Sequence, residues 1–240
     1  MCESLYRCAL DNNADIAVSG FYRVDADSGK VLNEEMTDLR KAFSVKTDPT
    51  QVLQLNGAPW NKIFKARLLK SMYDFKNPPK IFDDMMMHLL VYPFVGKVAF
   101  TPKALVYYGI RNDSIMTTIS QEKVDSTYRC MCEVKKVYRS LEASPKLVEF
   151  LDLSAGLHLG VSLMFRLAYD KSANLRDVIS ENDRYLDQHF STWRTADIPS
   201  NSKAMQKIKF ARAVRCSGQF LFALKVYRAM VDKLGIDIKW

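Results

Sequence analysis

The stretch Asp15-Ile16-Ala17-Val18-Ser19-Gly20-Phe21-Tyr22-Arg23-Val24 is mostly apolar and aromatic and predicts a buried strand. It leads into Asp25-Ala26-Asp27-Ser28-Gly29-Lys30, a cluster of turn residues typical of a hairpin tip. Upstream, apolar residues recur at three- and four-residue spacing over residues 1–12 and predict a helix that ends at Asn12-Asn13. We therefore expect the chain to open as a helix followed by the first strand of a sheet.

The rest of the chain divides into two kinds of pattern. Up to residue 119, elements alternate: we predict a helix at 49–55, a strand at 60–65, helices at 66–72 and 83–92, and one or two strands over 98–110. After Ser120 the pattern is helical, at about 121–142, 145–169, 173–188 and 202–234, the last with a possible break at Gly218. The prediction is an α/β part over residues 1–119 followed by an all-helical part over residues 120–240.

Composition restricts the class of protein. The chain has 240 residues, of which 48% are hydrophobic and 26% charged, as in ordinary globular domains. Five cysteines form no CxxC pair, and only three histidines are present, so we expect neither a structural zinc site nor a disulfide framework. The start of the chain lacks the pattern of a secretory signal, and the longest uncharged stretch in the helical part, Leu153–Phe165, is shorter than the roughly 20 residues that span a bilayer. A cytoplasmic location is the expectation.

Positive charge is concentrated at the end of the chain. From Arg194 to Trp240 there are ten Lys and Arg against three Asp, so this region carries +7 of the net charge of +8. Such a region is either a solvated helical surface or a face for an anionic lipid, nucleic acid or acidic partner. The basic residues are not interleaved with stacking aromatics, and we expect no nucleic-acid partner.

Three blocks of the α/β part together resemble a known family. They are the opening from Met1-Cys2-Glu3 to Phe21, the segment Trp60-Asn61-Lys62-Ile63-Phe64 with Leu68-Leu69, and Ile81-Phe82-Asp83-Asp84-Met85, which continues to Val106–Met116. In this order they are similar to the family 2 glycosyltransferases of the GT-A fold, especially bacterial enzymes of cell-envelope polysaccharide biosynthesis. The resemblance implies the C-terminal half of a Rossmann-like GT-A sheet domain, on the acceptor side, followed by a helical extension.

The resemblance assigns roles to six residues. In an inverting transfer a base removes the proton of the attacking sugar hydroxyl, and the family places this base at the position of Asp84. A helix N-terminus holds such a carboxylate in a fixed pose and tends to lower its pKa. Asp83 stands at the family's Glu position and would orient the acceptor. The remaining substrate-binding candidates are Trp60, Lys62, Arg111 and Ser114, the last two beside the diphosphate.

Each candidate also has an ordinary structural interpretation. Asp83 and Asp84 resemble helix-capping aspartates, Trp60 could simply pack in the core, and Arg111 and Ser114 could lie in an exposed loop. The sequence Asp25-Ala26-Asp27 spells a DxD, but it lies in a turn after the first strand, so we do not expect it to bind metal. Met85-Met86-Met87-His88 reads as apolar filling of a helix.

The resemblance further implies what this chain would lack. The nucleotide-binding units and the metal-binding DxD would lie upstream, because no GxGxxG or Walker loop is present. We expect no metal ligands in this chain, and a divalent ion (Mn or Mg) only in a full-length enzyme. The partners would be a nucleotide-sugar donor, a glycan or lipid-linked acceptor and, through the basic end, an anionic membrane surface. The alternatives are a non-catalytic basic binding or scaffold module and a degenerate transferase.

Overall fold

The computed structural model describes residues 1–70, 74–110, 119–170, 172–198, 203–216 and 218–234. The strands are β1 (Ile16–Asp25), β2 (Val31–Glu35), β3 (Phe43–Ser44), β4 (Lys62–Phe64) and β5 (Lys97–Ile110). The helices are α1 (Cys2–Asp11), α2 (Ala66–Lys70), α3 (Asp83–Val91), α4 (Gln121–Ser140), α5 (Pro145–Leu157), α6 (Met164–Leu167), α7 (Leu175–His189), α8 (Lys203–Cys216) and α9 (Phe220–Leu234). Three 3-10 turns lie at Pro49–Gln54, Tyr92–Phe94 and Ser191–Arg194, and a π-helical turn, His158–Leu163, joins α5 to α6.

Strand β1 is the centre of a mixed five-stranded sheet. It runs parallel to β5 along its whole length and antiparallel to both β2 and β4, which share its other edge. The outer edge of β5 pairs with β3 through Phe43 and Ser44 only, within the part of the chain that the structure describes. Ile16, Ala17 and Val18 are fully buried, as their apolar run predicts. The α/β class and the position of β1 are thus confirmed.

The helical part packs on the α/β part through one continuous apolar core. Met86 and Leu90 on α3 belong to the same buried cluster as Met131 on α4 and Phe150 on α5. The Tyr138 hydroxyl crosses between the two parts and donates to the Leu89 carbonyl at 2.8 Å. The division at residues 119 and 120 stays a prediction, although the described strands end at Ile110 and only helices and short turns follow.

Segment Pro145–Leu167 is long and apolar enough to cross a membrane by length and composition alone. The sequence-based prediction considered only its uncharged part, Leu153–Phe165, which is shorter than a membrane span. However, 78% of its most apolar stretch is buried inside the protein. Core helices of soluble proteins pass the same test, so this segment is weak evidence for a membrane span.

Four arginines of the basic end point into the protein. Arg215 donates to the carbonyl of Gly160 and pairs with Asp183, and its side chain is 1% exposed. The other three bind acceptors as follows: Arg194 binds Asp183 and Asp187, Arg212 binds the carbonyls of Trp193 and Ala196, and Arg228 binds those of Ala168 and Asp170. These four residues bind carboxylates and carbonyls of the protein itself and thereby connect segments of the helical part.

Candidate active site around Asp84

Helix α3 begins after a strained residue. Phe82 precedes it with φ 61° and ψ 21°, a left-handed conformation that is rare for a bulky side chain and costs on the order of 1–3 kcal/mol. The Phe82 ring is buried, and the Arg166 guanidinium lies 5.0 Å from its centre. The Phe82 carbonyl accepts the first helical hydrogen bond, from Met86, at 3.0 Å. Packing of Phe82 therefore fixes the point at which the helix starts, and Asp83 and Asp84 follow it at the surface.

Asp84 is exposed, yet the pKa of its carboxyl is raised. Partial burial of the carboxyl is the largest cause, repulsion from Asp83 adds to it, and the positive charge of Lys62 acts in the opposite direction. The sequence-based prediction of a lowered pKa at a helix N-terminus was wrong in direction, because burial and the second carboxylate outweigh the attraction. A carboxylate with a raised pKa is a stronger base, and a base whose pKa approaches the working pH is the more effective catalyst.

Lys62 lies beneath this acidic pair. The residue is 6% exposed, and its Nζ atom donates to Asn56 O at 2.9 Å, Asn56 Oδ1 at 2.6 Å, Asn61 Oδ1 at 3.1 Å and the carbonyl of Ala58. Since an ammonium has three N–H groups, these oxygens occupy it fully. Burial lowers the pKa of Lys62 to about 7, and the charge of Asp84 counteracts this shift. Lys62 thus holds the loop 56–61 and places a cation near Asp84; the contact with substrate stays a prediction.

The loop 56–61 is fixed to the sheet on one side and to α3 on the other. Asn61 is fully buried, and its side-chain Nδ2 donates to the Ser19 carbonyl at 2.7 Å. Its backbone carbonyl accepts a hydrogen bond from the Ser19 amide at 2.9 Å. A Cβ placed on Gly57 would lie 3.8 Å from Met85, in ordinary contact with α3. Sequence analysis did not single out Asn56 or Asn61. Their position could have identified them, because both lie in the short loop that contains Trp60 and leads to Lys62. A buried side-chain amide in such a loop needs hydrogen-bond partners nearby.

Trp60 packs against the sheet. Its ring stacks on Tyr108 with centres 5.0 Å apart and planes 9° apart, and it meets Phe21 edge-on at 4.8 Å. Trp60 is half-buried and packs on neighbouring rings of the sheet rather than in the main apolar core, and its contact with a substrate stays a prediction. Arg111 and Ser114 lie outside the described residues.

The two motifs that were set aside both take part in ordinary structural contacts. The Asp25 carboxylate accepts hydrogen bonds from the Ser28 amide at 2.7 Å and hydroxyl at 2.6 Å, which stabilises the hairpin turn. Met85, Met86 and His88 are buried in the core. No group of three His, Cys, Asp or Glu side chains that could hold a metal ion occurs among the residues that the structure describes.

Together, these contacts place an exposed carboxylate of raised pKa on a rigid helix start, beside a second carboxylate and above a buried lysine. Such an arrangement can accept a proton from a bound hydroxyl group. Comparison with family models and with curated proteins finds no match for this chain. A function must therefore be argued from the residues and their geometry.

Proposed function

We propose that this chain is the acceptor side of an inverting, nucleotide-sugar-dependent glycosyltransferase, a partial GT-A domain in which Asp84 is the base. The observation that carries the proposal is the Asp84 carboxyl itself, which is exposed, has a raised pKa and stands at a fixed helix start. The class of donor and the type of reaction are inferred from the three sequence blocks that resemble the family.

The reaction assigns one task to Asp84. The acceptor hydroxyl attacks the anomeric carbon, a new carbon–oxygen bond forms, and the bond to the nucleoside diphosphate breaks on the opposite face. The diphosphate leaves with the bonding electron pair, and the hydroxyl proton goes to Asp84. Asp83, exposed in the same first turn of α3, would accept a hydrogen bond from a second acceptor hydroxyl. Lys62 supports the base by holding the loop 56–61 beside it.

The described residues do not fit the metal that the family uses. They contain no set of three metal-ligating side chains, and Asp25 of the Asp25-Ala26-Asp27 motif is engaged by Ser28. No step of the proposal therefore passes through a metal in this chain. Donor binding and the metal would come from residues outside it, and we expect this polypeptide alone to be nearly inactive.

The alternative of a basic binding module loses support. Four of the ten basic residues after position 193 bind internal carbonyls or carboxylates, which leaves fewer basic side chains to contact a partner. Contact with an anionic membrane surface remains part of the proposal. The observation that supports this contact is Phe222, which is 70% exposed on α9 near the exposed Lys225.

Amide chemical shifts in a two-dimensional NMR spectrum can test the acceptor site. We expect saccharide acceptors to shift the amides of residues 56–58, 60–62 and 83–85, and Asp84→Asn to weaken this binding. Asp177→Asn is the matched control, because Asp177 is also an exposed aspartate in the first turn of a helix. Nucleotide sugars with Mg²⁺ should produce no comparable shifts.

Two results would contradict the proposal. One is that no saccharide in a broad panel shifts these amides, and the other is tight nucleotide binding by the chain alone. In any longer polypeptide that contains this chain and transfers sugar, Asp84→Asn should lower kcat by about 10²- to 10⁴-fold. An Asp84→Asn enzyme with unchanged kcat would remove Asp84 as the base.

A further inference from the structure

A small cavity lies between the loop 56–61, helix α3 and helix α5. Its volume is about 30 Å³, which is room for about two water molecules at most. Apolar side chains form most of its wall. The lining residues that carry polar side-chain groups are Asn56, His88, Tyr92, Ser154 and His158.

Three buried polar atoms in this wall have no hydrogen-bond partner among the residues that the structure describes. They are Asn56 Nδ2, His88 Nε2 and Ser154 Oγ. His88 is 2% exposed and Ser154 is 1% exposed, so bulk water does not reach them. Buried polar groups are nearly always paired with protein or with ordered water. The three atoms belong to residues that line one cavity, so a single ligand in this cavity could pair with all three.

The chemistry of the three atoms defines that ligand. The Nδ1 atom of His88 lies 2.7 Å from the carbonyl oxygen of Asp84, and because a carbonyl can only accept, Nδ1 carries the proton. Burial and the charge of Lys62 lower the pKa of His88 to about 3, so the ring is neutral and Nε2 is a bare acceptor. Asn56 Nδ2 is a donor, and the Ser154 hydroxyl is either.

Charged ligands do not suit this cavity. The charge of Lys62 acts on His88, and the charges of Arg166 and Lys207 act on His158, so the surroundings are positive and disfavour a metal cation. An anion would face the lone pair of His88 Nε2, which repels it. A ligand that both donates and accepts satisfies all three atoms.

We propose that this cavity is a binding site for one uncharged hydroxyl group, which donates to His88 Nε2, accepts from Asn56 Nδ2 and pairs with Ser154 Oγ. Water supplies this group in the free protein, and a small alcohol is the other source of the same chemistry. The bound hydroxyl joins the loop 56–61 to α3 and α5. Since Asn56 also binds Lys62, occupancy of the site positions the loop beside Asp84.

A crystal structure at high resolution tests the site directly. We expect one ordered water within about 3 Å of Asn56 Nδ2, His88 Nε2 and Ser154 Oγ. A crystal soaked in methanol separates the two sources: an additional carbon in the density means that a small alcohol also enters, and unchanged density means that the site takes water alone. An empty cavity, or rotated side chains that pair with one another, would overturn the proposal.

The ¹⁵N chemical shift of His88 Nε2 gives a second measurement in solution. We expect the wild-type signal to lie upfield of a bare imidazole nitrogen, and Ser154→Ala, which removes one partner of the hydroxyl, to move it downfield. Ser162→Ala is the matched control, because Ser162 is a buried serine of the next helical turns and does not line the cavity. A bare-nitrogen shift in the wild-type protein, or equal shifts in both variants, would contradict the site; the wild-type measurement stands even if a variant fails to fold.

Discussion

The Lys62 ammonium is bound by both oxygens of Asn56, the carbonyl at 2.9 Å and the side-chain Oδ1 at 2.6 Å. This pair closes the loop 56–61 on itself beneath the first turn of α3. The positive charge of the same lysine counteracts the rise in the pKa of Asp84. The residue that the family resemblance assigns to substrate is thus also the residue that shapes the site.

Replacing Lys62 should destabilise the protein. Lys62→Met keeps an unbranched side chain that is one atom shorter, but leaves the buried oxygens of Asn56 and Asn61 without a donor, and each such group costs about 1–3 kcal/mol. Part of this loss is offset because a buried charge is removed, so we expect the free energy of unfolding to fall by about 2 kcal/mol. Urea denaturation measures it, with Lys41→Met as the control at an exposed lysine. Equal stability of the two variants would contradict this role.

Stability should rise with pH above neutrality because of the same residue. Lys62 has a pKa of about 7 in the folded protein and near 10.5 in the unfolded chain. Between these values the unfolded chain holds a proton that the folded protein has released, so the free energy of unfolding increases with pH, by at most about 1.4 kcal/mol per pH unit. Below pH 7 both states are protonated and this contribution is absent. Urea denaturation at pH 6, 8 and 9.5 should show the rise in the wild type and a smaller one in Lys62→Met.

Asp15 is a second charged residue that stabilises the sheet. It is 7% exposed and accepts from Lys65 and Arg67, each at 2.9 Å, and from the Gly96 amide at 2.7 Å. We expect Asp15→Asn to lower the free energy of unfolding by about 1–3 kcal/mol at pH 7, a range that allows for the solvent exposure of the two basic partners. Asp27→Asn, at an exposed turn, is the control.

The effect of Asp15 should disappear in acid. Burial alone would raise the pKa of its carboxyl, but the hydrogen bonds from Lys65, Gly96 and Arg67 together lower it below its usual value of 3.8. Its contribution is therefore complete above pH 3.8 and is lost as the pH falls through the lowered pKa. Unfolding curves of the wild type and Asp15→Asn should converge at low pH, and a constant difference would contradict the ionic origin.

The sequence predicted those elements that are determined by residues close together in the chain. The apolar run of β1, the acidic start of α3 and the break at Gly218, which has φ 72°, all follow from neighbouring residues. Strand β2 was not predicted, since Val31–Asn33 and Glu34 are exposed and no alternation of burial marks the strand.

Contacts between distant segments produced the remaining differences. Arg212 and Arg228 read as surface charges, but carbonyls 16 to 60 residues away bind them. Lys62 read as a cleft residue, and it turns inward because the loop that begins at Asn56 encloses it. The direction of the pKa shift at Asp84 likewise depends on burial, which its helix position did not reveal.

Gly156 on α5 should resist substitution. A Cβ at this position would lie 2.6 Å from Cε3 of Trp193, a fully buried ring with little freedom to move. Alanine usually favours a helix by about 1 kcal/mol over glycine, but here overpacking costs about 1–3 kcal/mol. We expect Gly156→Ala to lower the melting temperature. Gly160→Ala is the control, because its nearest neighbour is the flexible end of Leu186 at 3.1 Å. A Gly156→Ala protein more stable than Gly160→Ala would contradict the close packing of Trp193.

Phe222 should contribute to any binding of anionic membranes. It is 70% exposed on α9, Val226 one turn later is 40% exposed, and Lys225 lies between them at the surface. An apolar side chain that enters the lipid interface beside a lysine that meets anionic headgroups is the usual basis of peripheral binding. We expect the protein to float with liposomes rich in phosphatidylserine, and Phe222→Ser to reduce the bound fraction. Leu39→Ser, which removes a side chain 90% exposed in the α/β part, should leave binding unchanged. Equal flotation with neutral and anionic liposomes, or equal loss in both variants, would show that this surface does not bind the membrane.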